Sequence, residues 1–61
     1  MIECGDIIKT KWGIMIVEKI KDNETFIGHE LKGMIQFRSK NPEKDIEVLN
    51  SEFRYNNKNG K

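Results

Sequence analysis

Hydrophobic residues in this chain come in short runs that are separated by glycine and by polar, turn-forming residues. The five runs cover residues 6–11, 14–20, 25–31, 34–38 and 45–49. β-Branched and aromatic residues are frequent in them, and the breaks at Trp12-Gly13, at residues 21–24 and at Lys32-Gly33 have the spacing of hairpin turns. The pattern predicts an all-β domain of five antiparallel strands.

The second run is the irregular one. Residues 14–17 (Ile-Met-Ile-Val) are apolar at every position, and alternation resumes only over residues 18–20. A strand with one buried face does not have this pattern. We therefore expect a long strand that bends and changes its inward face at a bulge, as a strand shared by the two sheets of a small barrel does.

The fourth and fifth runs alternate clearly between apolar and polar positions. In the fourth, Ile35 and Phe37 are predicted to point inward, and the opposite face carries Met34, Gln36 and Arg38. In the fifth, Ile46 and Val48 are predicted inward. Both patterns are typical of half-buried strands.

The third run contains Phe26, a large aromatic residue whose face in the strand does not have a core-like pattern. Phe26 shares its face with Gly28 and Glu30, which are not typical core residues, so Phe26 is predicted to point outward. The alternate face carries His29 with Ile27 and Leu31. The histidine is predicted to lie on the strand surface or, because it shares this face with two apolar residues, at the edge of the core.

The C-terminal part of the sequence is more polar. Residues 39–44 surround Pro42, which cannot donate to a ladder, and they predict the longest loop. Asn50-Ser51-Glu52 predicts a short 3₁₀ turn before Phe53. The last six residues have no apolar side chain. We expect one domain over residues 1–55 and a disordered polar tail over 56–61.

Two short motifs, one at the start of the predicted strands and one after them, are similar to motifs of a known family. Gly5-Asp6-Ile7-Ile8 near the start and Ser51-Glu52-Phe53 near the end resemble the opening and ending of KOW-type and Tudor-type modules, which are SH3-like barrels. The resemblance implies a five-stranded, strongly bent sheet that closes on one small core. Its families bind RNA, DNA, peptides or proteins, and the resemblance implies no catalysis.

The residue types that carry chemistry are too few for a catalytic or metal site. Cys4 is the only cysteine and His29 the only histidine, so an internal disulfide and a zinc site are both excluded. As nucleophile and base the pair lacks an orienting third group and a cleft. The glycines are too scattered for a phosphate loop. We expect no enzyme activity, no metal and no cofactor.

Composition points to a setting in the cytoplasm. No apolar run reaches the length of a signal sequence or a membrane span, and a lone cysteine fits a reducing compartment. Isoleucine, lysine and asparagine make up 24 of the 61 residues. This bias is typical of AT-rich genomes and suggests a low-GC bacterium or one of its phages or mobile elements.

Charge bears on the kind of ligand. The formal net charge is +1, far below that of a domain that binds nucleic acid by neutralising phosphates. The halves differ, however: residues 1–31 carry −2 and residues 32–61 carry +3. Trp12 in the first hairpin is predicted either to cover the core or to stack on a base. The lysines of that hairpin would surround it: Lys9, Lys11, Lys19 and Lys21.

The near-neutral charge favours a protein as the partner. Phe26 and Met34 are the predicted outward apolar residues, and Arg38 begins the basic half. An exposed apolar patch on a domain this small is more often a protein interface than a chance feature. The sequence therefore predicts a non-catalytic protein-binding module, self-association included, with nucleic-acid binding through Trp12 as the alternative.

Overall fold

The computed structural model describes residues 2–54 and forms one antiparallel sheet. Its elements are β1 (Ile7–Thr10), β2 (Gly13–Ile20), β3 (Thr25–Glu30), β4 (Gly33–Arg38), α1 (Pro42–Asp45) and β5 (Glu47–Asn50). The strand order is β4-β3-β2-β1-β5, so β4 and β5 are the edges of an open sheet. The predicted all-β fold of five antiparallel strands is confirmed. The sheet is neither closed nor strongly curled, unlike the closed, strongly bent sheet that the resemblance implied, and the fold is compatible with a small β-barrel-like fold.

The long second strand has the predicted irregularity. β2 pairs with β1 from Gly13 to Ile16 and with β3 from Ile16 to Ile20, and the β3 register shifts between Val17 and Lys19. Before the shift Met15 and Val17 are buried, whereas after it Ile20 packs against the core. An extra residue moves the inward face by one position. The predicted bulge is therefore confirmed.

The core contains six buried apolar residues from four strands and from the segment before β5. They are Ile8, Met15, Val17, Phe26, Phe37 and Ile46. Phe26 and Phe37 lie directly opposite each other on β3 and β4, and their rings stack with centroids 5.5 Å apart. Such a pair adds to the hydrophobic gain from burying both rings.

The predicted outward position of Phe26 is wrong, because Phe26 is only 3% exposed. The reason lies at Gly28, which also faces inward and is buried. A Cβ at Gly28 would collide with Sδ of Met15, so the missing side chain makes room for methionine. The glycine that made this face look unlike a core is what allows it to pack.

The opposite face of β3 is correspondingly more open than predicted. The His29 side chain is 53% exposed, and Leu31 is exposed in full just beyond the strand. Of the two positions predicted for His29, the strand surface is therefore confirmed, and the edge of the core beside Ile27 and Leu31 is wrong. A strand has two faces only, so burial of Phe26 and Gly28 leaves these residues outside.

The helical turn lies earlier in the chain than predicted. Pro42 opens α1 within the segment expected to be a loop, and the Ile46 amide donates to the Pro42 carbonyl at 2.9 Å. Proline suits a first helical position, where its missing N–H has no intrahelical partner. The expected 3₁₀ turn after Asn50 is instead a short turn in which the Glu52 amide donates to Asn50 Oδ1 at 2.7 Å.

The fifth strand begins later than its hydrophobic pattern suggested. Ile46 is buried as predicted, but it lies between α1 and β5. Val48 lies opposite Ile8 and is still 37% exposed, because β5 is an edge strand with one neighbour.

The two ends of the described chain are fastened together. Asp6 has a fully buried side chain, and Arg54 donates to it through Nε at 2.6 Å and through Nη2 at 3.1 Å. The Glu3 amide donates to the same carboxylate at 3.0 Å. A Cβ at Gly5 would collide with the carbonyl oxygen of Phe53, so only glycine allows this approach. The contacts hold Phe53 against the sheet.

Ionisation of Asp6 depends on these contacts. Burial by itself raises the pKa of the Asp6 carboxyl. Hydrogen bonds from Arg54, from the Glu3 amide and from Ser51, together with the Arg54 charge, outweigh burial and lower the pKa below its ordinary value. The buried carboxylate is therefore charged and paired.

The predicted bounds of the domain and of the tail extend beyond the residues that the structure describes. The proposed tail over 56–61 lies outside the described residues, as do the first and last positions of the domain over 1–55. Within residues 2–54 no helix has the length and apolar character needed to cross a membrane.

Candidate functional site

The outer face of the sheet, opposite the core, carries a row of side chains that are apolar except for His29. The cross-strand pairs Ile7–Ile16, Ile16–His29 and His29–Met34 run from β1 to β4. Ile14 on β2 is 58% exposed and Met34 on β4 is 62% exposed. Side chains opposite one another on one face lie about 5 Å apart. The row is therefore one continuous surface.

Two residues from outside the strands enlarge this surface. Leu31 in the β3–β4 turn and Phe53 in the C-terminal turn line the same groove as Ile7, Ile14 and Ile16. The groove has a volume of about 570 Å³. We use the name outer apolar face for Ile7, Ile14, Ile16, Leu31, Met34 and Phe53.

One polar pair interrupts the outer apolar face. His29 Nδ1 lies 3.3 Å from Oε2 of Glu18, the residue at the register shift of β2. Both side chains keep access to solvent. The pair supplies a hydrogen-bonding group amid aliphatic side chains, as protein interfaces commonly have.

Trp12 lies partly over the core and is partly exposed to solvent. Its ring lies 5.2 Å from that of Phe37 at an interplanar angle of 39°, so one side covers the core. The residue is nevertheless 41% exposed. Lys11 Nζ lies 4.9 Å from the ring centroid, within cation–π distance.

A cleft of about 340 Å³ lies beside Trp12. It is lined by Lys11, Trp12, Arg38, Ser39, Lys40, Asp45 and Ile46. The Arg38 guanidinium is held by Glu24 Oε1 at 2.9 and 3.2 Å. Asp45 accepts a hydrogen bond from the Ser39 hydroxyl at 3.0 Å. The carboxylates of Glu24 and Asp45 therefore offset part of the positive charge around this cleft.

The other predicted lysines are spread over the sheet. Lys9 is exposed on β1 between Ile14 and Glu47. Lys19 lies opposite Ile27, and Lys21 follows β2, whereas Trp12 precedes it. Of the four lysines, only Lys11 contacts the ring of Trp12 among the described residues.

A third cleft, of about 500 Å³, is lined by residues of the β2–β3 turn and of the start of α1. Its lining includes Ile20, Phe26 and Pro42, with Asp22 and Glu43 among its polar residues. Asp22 Oδ1 accepts hydrogen bonds from the amides of Glu24 and Thr25, both at 2.8 Å. Those hydrogen bonds, the Glu24 amide first, lower the pKa of Asp22. This carboxylate caps the β2–β3 turn.

Cys4 and His29 lie in different environments. Cys4 is a free thiol that packs against the core, and His29 lies on the outer face beside Glu18. Within residues 2–54 no three histidine, cysteine, aspartate or glutamate side chains are grouped as metal ligands. Every buried side-chain nitrogen and oxygen of the described residues has a hydrogen-bond partner.

Sequence reasoning found part of the outer apolar face and missed the rest. Met34 was predicted there, whereas Ile14, Leu31 and Phe53 were not. A signal was available for Ile14, because inward Met15 and Val17 require outward Ile14 and Ile16 before the bulge. No local signal places Phe53, since the pairing of Asp6 with Arg54 spans 48 residues.

Comparison with known proteins gives no match: no family model, no curated protein and no solved structure is significantly similar to the chain.

Proposed function

We propose that the chain is a non-catalytic protein-binding module and that its partner docks on the outer apolar face. The observation that carries the proposal is the exposure of Ile14, Leu31, Met34 and Phe53. Two lie on strands of the outer face, and the other two line the same groove as Ile14. A partner that covers them would present an apolar surface of its own.

The extent of the surface supports this role. A phenylalanine has on the order of 150–250 Å² to bury, so Phe53 and the three aliphatic side chains, each more than half exposed, together offer roughly a few hundred Å². A single exposed apolar residue needs no explanation, but a contiguous patch of this size on a small monomer commonly marks an interaction site.

Charge supports a protein over a polyanion at this face. The formal net charge is +1, and the outer apolar face has both Lys9 and Glu18 beside it. Nucleic acids bind through many phosphate contacts, which a mixed surface of this kind does not provide.

The proposal includes an SH3-like barrel as the fold. Its support is the division of β2, which pairs with β1 in its first half and with β3 in its second, with a register shift between. In small barrels one long, bent strand belongs to both sheets. The contact of Trp12 with Phe37 also joins the β1–β2 turn to β4, which is not its neighbour in the sheet.

Peptide display tests the proposed face. A random peptide library would be selected on the wild-type chain, and the enriched peptides then measured against Leu31→Glu and Met34→Glu. We expect enriched peptides to be rich in apolar residues and to lose at least about tenfold in affinity to each variant, about 1.4 kcal/mol.

The matched control is Lys44→Glu, an exposed change on α1 that also replaces a side chain by a carboxylate. It should retain peptide affinity. Failure to enrich any peptide, or peptides that bind the outer-face variants as tightly as the wild type, would rule out this face as the binding site.

Nucleic-acid binding is a second candidate because Trp12 is half exposed with a lysine over its ring and a cleft beside it. The Trp12 ring would stack on a base and Lys11 and Lys40 would contact phosphates. A fluorescent single-stranded oligonucleotide titrated at about 50 mM salt decides this. Binding that weakens steeply with salt and is lost in Trp12→Ala supports it, and absence of binding removes it.

A further inference from the structure

The two edges of the sheet are protected to different degrees. β5 has four residues, begins with Glu47 and has an irregular register with β1. β4 has six residues without proline or lysine, and its register with β3 is continuous. Short strands, charges and bulges are the usual devices that prevent edge-to-edge pairing. β4 has none of these along Met34–Phe37.

The free edge of β4 also carries incompletely buried apolar side chains. Met34 on the outer face is 62% exposed, and Ile35 on the inner face is partly exposed. Within residues 2–54 β4 pairs with β3 alone, so the backbone groups on its other side have no strand partner. A second strand would satisfy those groups and bury both side chains.

We propose that two copies of the chain associate through an antiparallel pairing of β4 with β4, with the two-fold axis at Gln36. This register places the two Gln36 residues opposite each other, Ile35 opposite Phe37 of the partner copy and Met34 opposite Arg38 of the partner copy. On the outer face, the register pairs amide with amide and methionine with the aliphatic stem of arginine. On the inner face, it pairs apolar with apolar side chains.

The self-complementary register supports a second copy as the occupant, and charge does not oppose it. Arg38 is the only charged residue of β4, and the register keeps it away from its own counterpart. Its charge is already held by Glu24 at 2.9 Å. A net charge of +1 for each copy adds little repulsion. Since the strand is short, the buried area lies below that of a standard interface, and a weak, concentration-dependent dimer follows.

The inference goes beyond the proposed function, because a dimer joined at β4 leaves Ile14, Leu31 and Phe53 open on each copy. Two outer apolar faces then lie side by side on one ten-stranded sheet. A bivalent partner would bind such a pair more tightly than a single face.

Sedimentation of the 61-residue chain between about 10 µM and about 1 mM tests the association. The wild type should shift from monomer to dimer across this range. Gln36→Lys and Gln36→Glu each place two like charges opposite each other at the axis, so each variant alone should dimerise at least about tenfold more weakly. Their equimolar mixture should recover the dimer through opposite charges. Gln36 is exposed, and circular dichroism should show that both variants fold.

Three results would overturn the inference: a wild type that stays monomeric at about 1 mM, variants that dimerise as strongly as the wild type, or a mixture that does not recover. Loss of the dimer in Leu31→Glu with no effect of Gln36→Lys would place the contact on the outer apolar face instead. Monomeric Gln36→Lys should still bind the selected peptides, so failure of this inference and failure of the proposed function are separate results.

Discussion

The two faces of this sheet are built from similar side chains and differ in what covers them. On β2, Met15 and Val17 face inward and are buried, while Ile14 and Ile16 point the other way and Ile14 stays largely exposed. On β4, Phe37 is buried and Met34 exposed. Hydrophobicity alone therefore does not separate the residues that hold this fold together from those that are available to a partner.

The two faces differ in burial because different segments of the chain cover them. The inner face receives Ile46 from the segment before β5 and Trp12 from the β1–β2 turn, which packs on Phe37. Among residues 2–54, the outer face receives only Phe53, which Arg54 and Asp6 hold in place and which stays 56% exposed. Substitutions on the inner face should thus change stability, and those on the outer face should change binding.

The sharpest test of this contrast is Phe26→Ala. Removing a buried phenylalanine costs about 3–5 kcal/mol, which is comparable to the whole stability expected of a domain this small. We expect the variant to be largely unfolded by circular dichroism at 25 °C. Met34→Ala removes an exposed side chain and should melt near the wild-type temperature. Equal destabilisation by the two changes would contradict the division between faces.

Asp6→Asn tests the contact that fixes Phe53 at the outer face. Asparagine retains one acceptor but loses the charge that Arg54 pairs with, and we expect a loss of about 2–3 kcal/mol in urea unfolding. The change should also weaken binding at the outer apolar face, because Phe53 is no longer held. Unchanged stability would mean that the ion pair contributes nothing.

The pH dependence of unfolding tests the same carboxylate. The pKa of Asp6 is lower in the folded chain than its ordinary value of 3.8. Its contribution is therefore complete above about pH 4 and is lost as the pH falls through the lower, folded pKa. Wild type should lose stability below about pH 4, and Asp6→Asn should lose less over that interval. Asp22→Asn is the control, since the Asp22 pKa is also lowered but its carboxylate is exposed.

The packing of Met15 against Gly28 can be measured with a double-mutant cycle. Gly28→Ala introduces a Cβ where the Met15 thioether lies, and the overpacking should cost about 1–2 kcal/mol. Met15→Ala alone leaves a cavity. Since the new methyl can occupy part of that cavity, the double variant should cost less than the sum of the single changes. Strict additivity in chemical denaturation would show that the two residues do not compete for space.

The smallest effect on stability is expected at the outer apolar face itself. Leu31→Glu changes a fully exposed turn residue, and thermal unfolding should stay within about 0.5 kcal/mol of wild type. The same variant should lose peptide binding. If Leu31→Glu proved strongly destabilising, the outer face would have to be covered within the chain, and the proposal of a partner there would fail.

The sequence by itself determined the elements and much of their orientation. The five strands, the turns at Gly13 and Gly33 and the inward Phe37 follow from local patterns of apolar residues and glycine. Both turn glycines have positive φ, as tight turns require. The bulge in β2 was also readable, because four consecutive apolar residues cannot all belong to one face.

Only the tertiary structure decided the face of Phe26 and the composition of the outer apolar face. The face of β3 depended on whether Met15 of the neighbouring strand would fill the space over Gly28, and a pattern within one strand contains no such information. Phe53 reaches the outer face through the pairing of Asp6 with Arg54, which lie 48 residues apart. Local periodicity reports which residues share a face, whereas contacts between distant segments decide which face is covered.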